Sequence, residues 1–307
     1  ESVTKEVLTG KITIDKLEQV DYEKTLNQGA KKDKKVNAYW NPTIVGKRNK
    51  LKYTKNLRVF HNQIKYELLK YCSNKLGKMN TNKSIFDMTC GKGGDLMKWI
   101  NNGYKHIVGF DKYQDSITNN EDGIYKRAYS QKNDNKLKSE FPIMIFEQAD
   151  AGKNYIRGEA FNGSEIEKNN IGHDIIKCVL GQQYDHGLVK VLEKFEGVAK
   201  RGFDVISNQF SIHYFFKDIE TLTGFVQNIS ECCKNNGYFI GTCFDGKKIY
   251  ELLKERPNIS RKVDGHKVFE IERIYDPELD RYNTFLNNNM SSLGYPIDVY
   301  MESTLCV

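Results

Sequence analysis

The amino-acid sequence predicts an α/β protein built around a doubly wound, mostly parallel β-sheet with an antiparallel C-terminal portion. Three observations support this fold class. Short apolar segments of strand length alternate with stretches of helical periodicity along most of the chain. A glycine cluster follows the first apolar segment, as in sheets that bind nucleotides. The C-terminal part contains further strand-like segments, which we expect to be antiparallel.

The individual elements follow from the spacing of the apolar residues. Leu57, Phe60 and Ile64 begin a helical pattern that runs to Leu76, and Gly77 ends it. Five buried strands are predicted at 84–89, 106–110, 142–150, 203–210 and 237–244. The segment 114–139 is predicted to be mostly helical, and further helices are predicted over 218–235 and, within a long insertion (151–201), over 186–200. The C-terminal strands are predicted at 268–275 and 296–303.

Length and composition exclude several classes of protein. The chain has 307 residues, of which 39% are hydrophobic and 28% charged, and this balance predicts a packed core. No apolar run approaches the roughly 20 residues that span a bilayer, and residues 1–25 lack the apolar centre of a signal peptide. The seven cysteines form no C-x-x-C pair, which argues against a structural metal site or a disulfide framework and favours a cytoplasmic compartment.

Positive charge is concentrated in the basic segment, residues 31–58. It carries ten Lys or Arg side chains and only one acid, whereas the net charge of the whole chain is +7. Tyr39, Trp40 and Tyr53 are interleaved with these cations and could pack on bases. The segment is therefore either a solvated arm or a binding surface for RNA phosphates, and charge alone does not decide between them.

The most informative string in the sequence is F-D-M-T-C-G-K-G-G-D-L at 86–96. A strand ends there, a turn with three glycines follows, and a helix begins near Asp95, so a ligand can approach the backbone. A P-loop is excluded because Lys92 is followed by glycine and the first P-loop glycine is missing. The spacing also differs from the dinucleotide fingerprint G-x-G-x-x-G.

Acidic residues follow three successive predicted strands. Asp111 ends the second strand, where a carboxylate can accept hydrogen bonds from both ribose hydroxyls of an adenosine-bearing cofactor. We expect this carboxylate to be exposed and to contribute little to the core. These features do not separate S-adenosylmethionine from NAD. Asp87 before the glycine turn favours S-adenosylmethionine, since it can meet an ammonium or sulfonium group, and so does Asp150 at the adenine end.

Three motifs resemble the mRNA cap guanine-N7 methyltransferase family. They are L-R-V-F-H-N-Q-I-K at 57–65, D-M-T-C-G-K-G-G-D-L at 87–96 and Q-F-S-I-H-Y-F-F at 209–216. The third is the most specific, and the resemblance spans about 57–245. It implies a Rossmann-like S-adenosylmethionine-dependent methyltransferase fold and methyl transfer to guanine N7 of the 5′ cap.

The resemblance also implies roles for individual residues. Those that would hold S-adenosyl-L-methionine, together with Asp87, are Lys65, Thr89, Gly91, Asp95, Asp111, Asp150 and Gln209. The guanine would be framed by Phe210, His213 and Tyr214, and the cap phosphates would be contacted by Lys92 and Arg127. Thr89 departs from the family pattern, which has glycine there.

The expected organisation is a basic arm or linker at 1–55 followed by a cap methyltransferase domain at 56–307. The chain begins at Glu1 and the family's cap-reading glutamate strand would follow 296–303, so we expect a piece of a longer polypeptide that is truncated within its cap pocket. The resemblance implies linked or associated triphosphatase and guanylyltransferase domains, as in the capping enzymes of large DNA viruses. It implies a location in host cytoplasm or virion.

The chemistry expected of such an enzyme needs no general base, because guanine N7 carries no proton. Positioning by the guanine-framing residues would supply the rate. An alternative is a non-catalytic RNA-binding or stimulatory subunit that keeps the fold. The basic segment would serve it equally well, and Thr89 and the truncated end are the evidence that favours it. An NAD-dependent oxidoreductase is disfavoured by the glycine spacing.

Overall fold

The computed structural model describes residues 55–134, 141–161, 171–184, 192–276 and 293–301. Most of the predicted arm (1–55) and of the basic segment therefore lies outside the described residues. The chain divides into two compact units: the larger contains Leu68–Ile259 and Ile271–Val299, and the smaller contains the rest.

Helices and strands alternate along the chain as the sequence predicts. The helices are α1 (Lys55–Leu76), α2 (Leu96–Asn101), α3 (Gln114–Thr118), α4 (Ile124–Asp134), α5 (Ile171–Val179), α6 (Ile219–Cys232) and α7 (Gly246–Glu255). The strands are β1 (Ser84–Asp87), β2 (His106–Asp111), β3 (Ile143–Gln148), β4 (Phe203–Gln209), β5 (Cys233–Thr242), β6 (Asn258–Val263), β7 (His266–Arg273) and β8 (Ile297–Met301).

The first five strands form one parallel sheet in the order β3-β2-β1-β4-β5. The chain proceeds outward from β1 through β2 to β3 and then crosses to β4, so the strand order reverses between β1 and β4. Asp87, at the carboxyl end of β1, is level with Gly109 of β2 and Ser207 of β4. A reversal of this kind opens a crevice at the carboxyl ends of the strands, where open α/β sheets bind their ligands.

Helices cover both faces of this sheet. Successive side chains of each strand point to opposite faces, so apolar residues of the strands are buried on both. Phe86, Phe110 and Phe203 belong to one buried cluster, which also contains residues of α5 and α6. Ile85 and Val205 belong to the other, which contains residues of α1, α2 and α4. The doubly wound fold class is therefore confirmed.

The C-terminal strands form a separate antiparallel sheet in the order β6-β7-β8, and this confirms the predicted antiparallel portion. The turn between β6 and β7 contains Asp264 and Gly265, both with positive φ. None of the helices in the described ranges is long and apolar enough to cross a membrane.

The segment 114–139 is predicted to be mostly helical, and its described part, 114–134, contains two helices, α3 and α4. Asn119 separates them, because its side chain accepts from the backbone N–H groups of Glu121 and Asp122. The helix predicted at 186–200 needs correction at its end: of its described residues, Leu192 is helical, a 3₁₀ turn follows at Glu193–Phe195, and 196–200 form turns. The insertion instead carries α5, and neither α5 nor α7 is predicted by the sequence reading.

The loop after β3 is fastened to α6 by one buried side chain. Asn228 is 0% exposed; its amide donates to the carbonyls of Ala151 (3.0 Å) and Lys153 (2.7 Å), and its Oδ1 accepts from the Tyr155 N–H (2.8 Å). The Asn228 side chain thus forms three hydrogen bonds with the backbone of this loop, which begins near Asp150.

We expect Asn228→Ala to lower the free energy of unfolding by about 3 kcal/mol, because one N–H and two carbonyls lose their partners in the interior. Urea denaturation measures the change. Val226→Ala on the exposed side of α6 is the matched control and should change the unfolding free energy by less than about 0.5 kcal/mol. A loss below about 1 kcal/mol for the Asn228 variant would contradict this account of the loop.

Candidate active site

The glycine turn that follows β1 lies against the end of β2. Gly91 has a φ of +50°, and its N–H donates to Asp111 Oδ2 at 2.8 Å. The preceding Cys90 N–H donates to the Phe110 carbonyl at 2.8 Å. These two bonds hold the turn at the carboxyl edge of the sheet, with its backbone facing the crevice.

The two positive-φ glycines of the turn have different reasons to be glycine. A Cβ on Gly91 would meet nothing within 4 Å, so the constraint there is the left-handed backbone alone, beside open space. A Cβ on Gly93, where φ is +75°, would lie 2.7 Å from the Ile124 side chain at the start of α4. Gly91 therefore borders the crevice, whereas Gly93 permits close packing beneath it.

Thr89 stands where the family pattern has glycine. Its backbone is not in the left-handed region, so this position of the turn does not require glycine. Its N–H donates to the buried Asp87 carboxylate at 3.1 Å. Its hydroxyl lies 2.6 Å from the Ser211 hydroxyl, just beyond β4. Ser211 in turn donates to Asn208 Oδ1 at 2.7 Å. The threonine therefore links the glycine turn directly to the Q-F-S-I-H-Y string.

Asp111 is buried, and the expectation of an exposed carboxylate is wrong. The residue is 8% exposed, and its second oxygen accepts the Tyr113 N–H at 3.0 Å. Burial raises the pKa of Asp111 above its ordinary value of 3.8, although the hydrogen bonds from Tyr113 and Gly91 act in the opposite direction. Asp111 consequently shapes the glycine turn as well as facing the crevice.

Asp150 follows β3 and is already paired with a cation. Its Oδ1 accepts the Gly152 N–H at 3.0 Å, and its Oδ2 lies 3.1 Å from the Lys112 ammonium. Lys112 directly follows Asp111, so this ion pair joins the ends of β2 and β3. The sequence reading did not identify it, because the partners are far apart along the chain.

The predicted phosphate-binding cations are also paired with acids. Lys92 lies 2.8 Å from Asp122 Oδ1 and 3.0 Å from Asp115 Oδ2, and hydrogen bonds to these two carboxylates raise its pKa. Arg127 lies 4.0 Å from the other oxygen of Asp122. Because the Asp115 and Asp122 side chains are exposed, a phosphate group could replace them as the partner of Lys92 with a small loss of ion-pair free energy.

Phe210 is held in a strained backbone conformation at the end of β4. Its φ is +60°, uncommon for a large side chain. Its N–H donates to both the carbonyl (3.0 Å) and the hydroxyl (2.9 Å) of Thr242 at the end of β5. The Thr242 hydroxyl donates in turn to Gln209 Oε1 at 3.1 Å. Thr242 therefore fixes two of the predicted site residues.

His213 and Tyr214 lie side by side on the 3₁₀ helix Ile212–Lys217. Their ring centroids are 4.3 Å apart, and the centroid of the Phe244 ring lies 4.8 Å from that of His213. Burial lowers the pKa of His213 below 6.5, so its imidazole is neutral at pH 7. Its Nδ1 is buried without a hydrogen-bond partner among the described residues, whereas Tyr214 is 68% exposed. The exposed tyrosine ring and the neighbouring imidazole are groups that can pack against a planar ligand.

The remaining predicted residues are Asp95 and Lys65. Asp95 immediately precedes α2 and forms an ion pair with Lys98, with 2.8 Å between Oδ1 and the ammonium. Lys65 lies on α1 in the smaller unit. Burial, together with the charge of Lys65, lowers the pKa of His61 on the same helix to about 4. Every other predicted site residue belongs to the larger unit.

The residues present suit an adenosine-bearing cation. Asp87, Asp111 and Asp150 follow three adjacent strands, and the open space beside Gly91 lies in the same turn that hydrogen bonds to Asp111. A cluster of carboxylates in a partly buried crevice favours a positively charged ligand with hydroxyl and amine donors. The neighbouring aromatic pair of His213 and Tyr214 can receive a planar base. The crevice can therefore bring an adenosine-bearing cation and a planar base together.

Sequence reasoning missed several residues that support this crevice. Thr242 ends β5 and Phe244 lies two residues beyond it, so strand-end position was the available signal for both. Ser211 lies inside the Q-F-S-I-H-Y string, but nothing in the sequence identifies its partner as Thr89. The acids that pair with Lys92 likewise have no signal, since single aspartates on short helices and in turns are common at protein surfaces.

Comparison with known proteins gives the family. A family model described as the mRNA (guanine-N(7))-methyltransferase domain matches residues 23–293. The probable mRNA-capping enzyme of Acanthamoeba polyphaga mimivirus is 30% identical over 76% of this chain, which covers 18% of that protein. The mRNA cap guanine-N(7) methyltransferase of Saccharomyces cerevisiae is 26% identical over 93% of this chain and 52% of its own length.

A crystal structure of an S-adenosylmethionine-dependent methyltransferase from Clostridium acetobutylicum is 14% identical, with a TM-score of 0.39 over 73% of this chain and 70% of that one. The chain spans about half or less of the two curated relatives. The family match covers the glycine turn, the acids at the strand ends and the Q-F-S-I-H-Y string alike. The chain belongs to the mRNA (guanine-N7)-methyltransferase family.

Proposed function

We propose that this chain transfers a methyl group from S-adenosyl-L-methionine to guanine N7 of the GpppN cap of mRNA. The observation that carries the proposal is the 2.6 Å contact between the Thr89 and Ser211 hydroxyls. It joins the glycine turn, which suits the cofactor, to the string that presents Phe210, His213 and Tyr214. Methyl transfer requires the donor and the acceptor base to be neighbours, and a contact between these two segments supports that arrangement.

The cofactor would be held by residues of the turn and the strand ends. Asp111 would accept from the ribose hydroxyls with the lone pairs that its two backbone bonds leave, and Asp150 would lie at the adenine end. Asp87 and Asp95 carry the negative charge that an ammonium or sulfonium group needs, and the family resemblance assigns the cofactor's carboxylate to Lys65. Thr89, Gly91 and Gln209 would line the methionine moiety.

The chain's contribution to the reaction is positioning. When bound, the cofactor supplies an electrophilic methyl group on a sulfonium. Guanine N7 has a lone pair and no proton, so the protein needs no general base. His213 is neutral at pH 7 and can hydrogen bond to the base, while Tyr214 contributes a ring face for stacking. Orientation of the base by these rings, with Phe210 held by Thr242, would supply most of the rate enhancement.

Lys92 and Arg127 would bind the phosphates of the cap. In the protein alone, Asp115 and Asp122 hold these cations beside the glycine turn. A triphosphate carries more charge than the exposed acids and could displace them. The acids would therefore keep the cations in place until the cap arrives.

The larger setting of the chain follows from its relatives. A mimivirus relative is named as a probable mRNA-capping enzyme and is much longer than this chain. We propose that this chain works beside triphosphatase and guanylyltransferase domains, linked or associated, on capped RNA. A cytoplasmic location, in the host cell or virion for a viral protein, is part of the same proposal.

Labelled methyl transfer tests the proposed function. The protein is incubated with methyl-labelled S-adenosylmethionine and GpppG-capped RNA, and the RNA is digested to cap structures. Label in 7-methylguanosine is the expected result, and RNA capped with 7-deazaguanosine is the control that should stay unlabelled. A protein that binds capped RNA but neither binds the cofactor nor transfers label would be the non-catalytic subunit instead.

We expect Asp111→Ala to weaken binding of S-adenosylhomocysteine at least about 100-fold, near 3 kcal/mol, because the ribose loses a charged acceptor. The variant should also lose about 1–2 kcal/mol of stability, since the Gly91 and Tyr113 N–H groups lose their partner. Calorimetry and thermal unfolding measure the two effects. Glu121→Ala, at an exposed acid in the turn between α3 and α4, should change neither. Wild-type affinity in the folded Asp111 variant would contradict the placement of the ribose.

We expect Tyr214→Ala to slow methyl transfer at least about 100-fold, or roughly 2.7 kcal/mol, through lost orientation of the base. Affinity for S-adenosylhomocysteine should stay within a few-fold of wild type. Phe216→Ala is the matched control, because Phe216 is an exposed aromatic residue on the same 3₁₀ helix. Full activity of Tyr214→Ala on GpppG-capped RNA would mean that the exposed tyrosine does not hold the guanine.

We expect deletion of residues 1–50, which removes most of the basic segment, to flatten the salt dependence of RNA binding. Each phosphate that a cation neutralises contributes to the slope of log affinity against log salt. Filter binding between 50 and 200 mM salt measures the slope, and affinity for the cap dinucleotide GpppG serves as the control. An unchanged slope would show that the segment is a solvated arm.

A further inference from the structure

Lys98 of α2 is a buried cation beside the glycine turn. It is 1% exposed, and Leu96 and Trp99 of the same helix are also buried. Its ammonium is 2.8 Å from Asp95 Oδ1 and donates to the Gly94 carbonyl at 2.9 Å. Lysine is almost never fully buried without such partners. Neither the sequence motifs nor the proposed reaction gives this residue a role.

The burial of this ion pair is difficult to explain by stability alone. Removing an ammonium and a carboxylate from water is costly, and apolar side chains of similar size often serve a core equally well. Methionine would fill the same space as the lysine stem without that cost. A buried ion pair can, however, fix the direction of a polar group more tightly than an apolar contact can.

Asp95 is the group whose direction Lys98 determines. An aspartate that immediately precedes a helix ordinarily turns its carboxylate onto the first backbone N–H groups of that helix. Asp95 makes no such capping hydrogen bond, and its carboxylate is instead drawn to Lys98, one turn further along α2. The carboxylate is thereby kept off the helix and is largely buried beside the glycine turn, whose Gly94 carbonyl accepts from the same lysine.

We infer that Lys98 is a positioning residue for the cofactor's amino-acid end, acting through Asp95. The inference rests on the proposed function, in which Asp95 faces that end. Lys98 holds the carboxylate in the orientation in which it accepts from the α-ammonium group. The lysine cancels the charge of Asp95, so its contribution is direction rather than added attraction. Its bond to Gly94 anchors the same carboxylate to the turn.

The test separates this role from a general effect on the turn. Binding of two ligands is measured by calorimetry: S-adenosylhomocysteine, and its analogue S-adenosyl-4-thiobutyrate, which lacks only the amino group. In Lys98→Met, affinity for S-adenosylhomocysteine should fall about tenfold or more, while affinity for the analogue stays within about threefold. In an Asp95→Asn background, adding Lys98→Met should cause little further loss of S-adenosylhomocysteine affinity.

Lys234→Met is the matched control, because Lys234 pairs with the buried Asp204 at the opposite end of the sheet. The Lys234→Met variant should change the unfolding temperature but leave unchanged the ratio of the affinities for S-adenosylhomocysteine and S-adenosyl-4-thiobutyrate. If Lys98→Met does not fold, Lys98→Gln keeps a donor without the charge, and the double variant Asp95→Asn/Lys98→Met removes both charges. These variants are compared with wild type and with Asp95→Asn.

Equal losses for both ligands, or additive losses in the Asp95→Asn background, would overturn the inference and leave Lys98 a structural residue of the turn. Failure of the wild-type protein to bind S-adenosylhomocysteine would instead remove the proposed function. The two failures are therefore distinguishable in one set of titrations.

Discussion

The position of β1 between β2 and β4 is the constraint on which the rest of the site depends. Because the chain leaves β1 at the reversal of strand order, its glycine turn must lie between the ends of two neighbours. Two hydrogen bonds hold the turn to these neighbours. The Gly91 N–H donates to the Asp111 carboxylate at the end of β2, and the hydroxyls of Thr89 and Ser211 hydrogen bond to each other on the β4 side. The first shapes a site for an adenosine-bearing cation, and the second sets a base-binding string beside it.

Charges around this turn are arranged in pairs. Asp95 faces Lys98, Asp150 faces Lys112, and Lys92 lies between two acids. Asp111 instead relies on backbone N–H groups, and burial raises its pKa. Paired charges have defined directions before any ligand arrives, so binding need not reorganise them. This preorganisation agrees with a reaction that depends on alignment and needs no proton transfer to the protein.

The parts of the fold that the sequence predicts are those encoded locally. Apolar runs predict strands β1 to β5, and the glycine cluster predicts the turn after β1, because each signal lies within a few adjacent residues. The burial of Asp111 was mispredicted because it depends on the Gly91 and Tyr113 N–H groups. The helix expected at 186–200 does not extend through 196–200, where the described chain forms turns after the 3₁₀ helix Glu193–Phe195. Pairings such as Thr89 with Ser211 have no sequence signal at all.

The most direct test of the account is a crystal structure of the protein with S-adenosylhomocysteine and GpppG. The account predicts the ribose at Asp111 and the guanine against His213 and Tyr214. It also predicts guanine N7 facing the cofactor sulfur across the crevice between β1 and β4. A guanine bound elsewhere on the chain, or one whose N7 faces away from the sulfur, would contradict the central claim that one strand reversal serves both ligands.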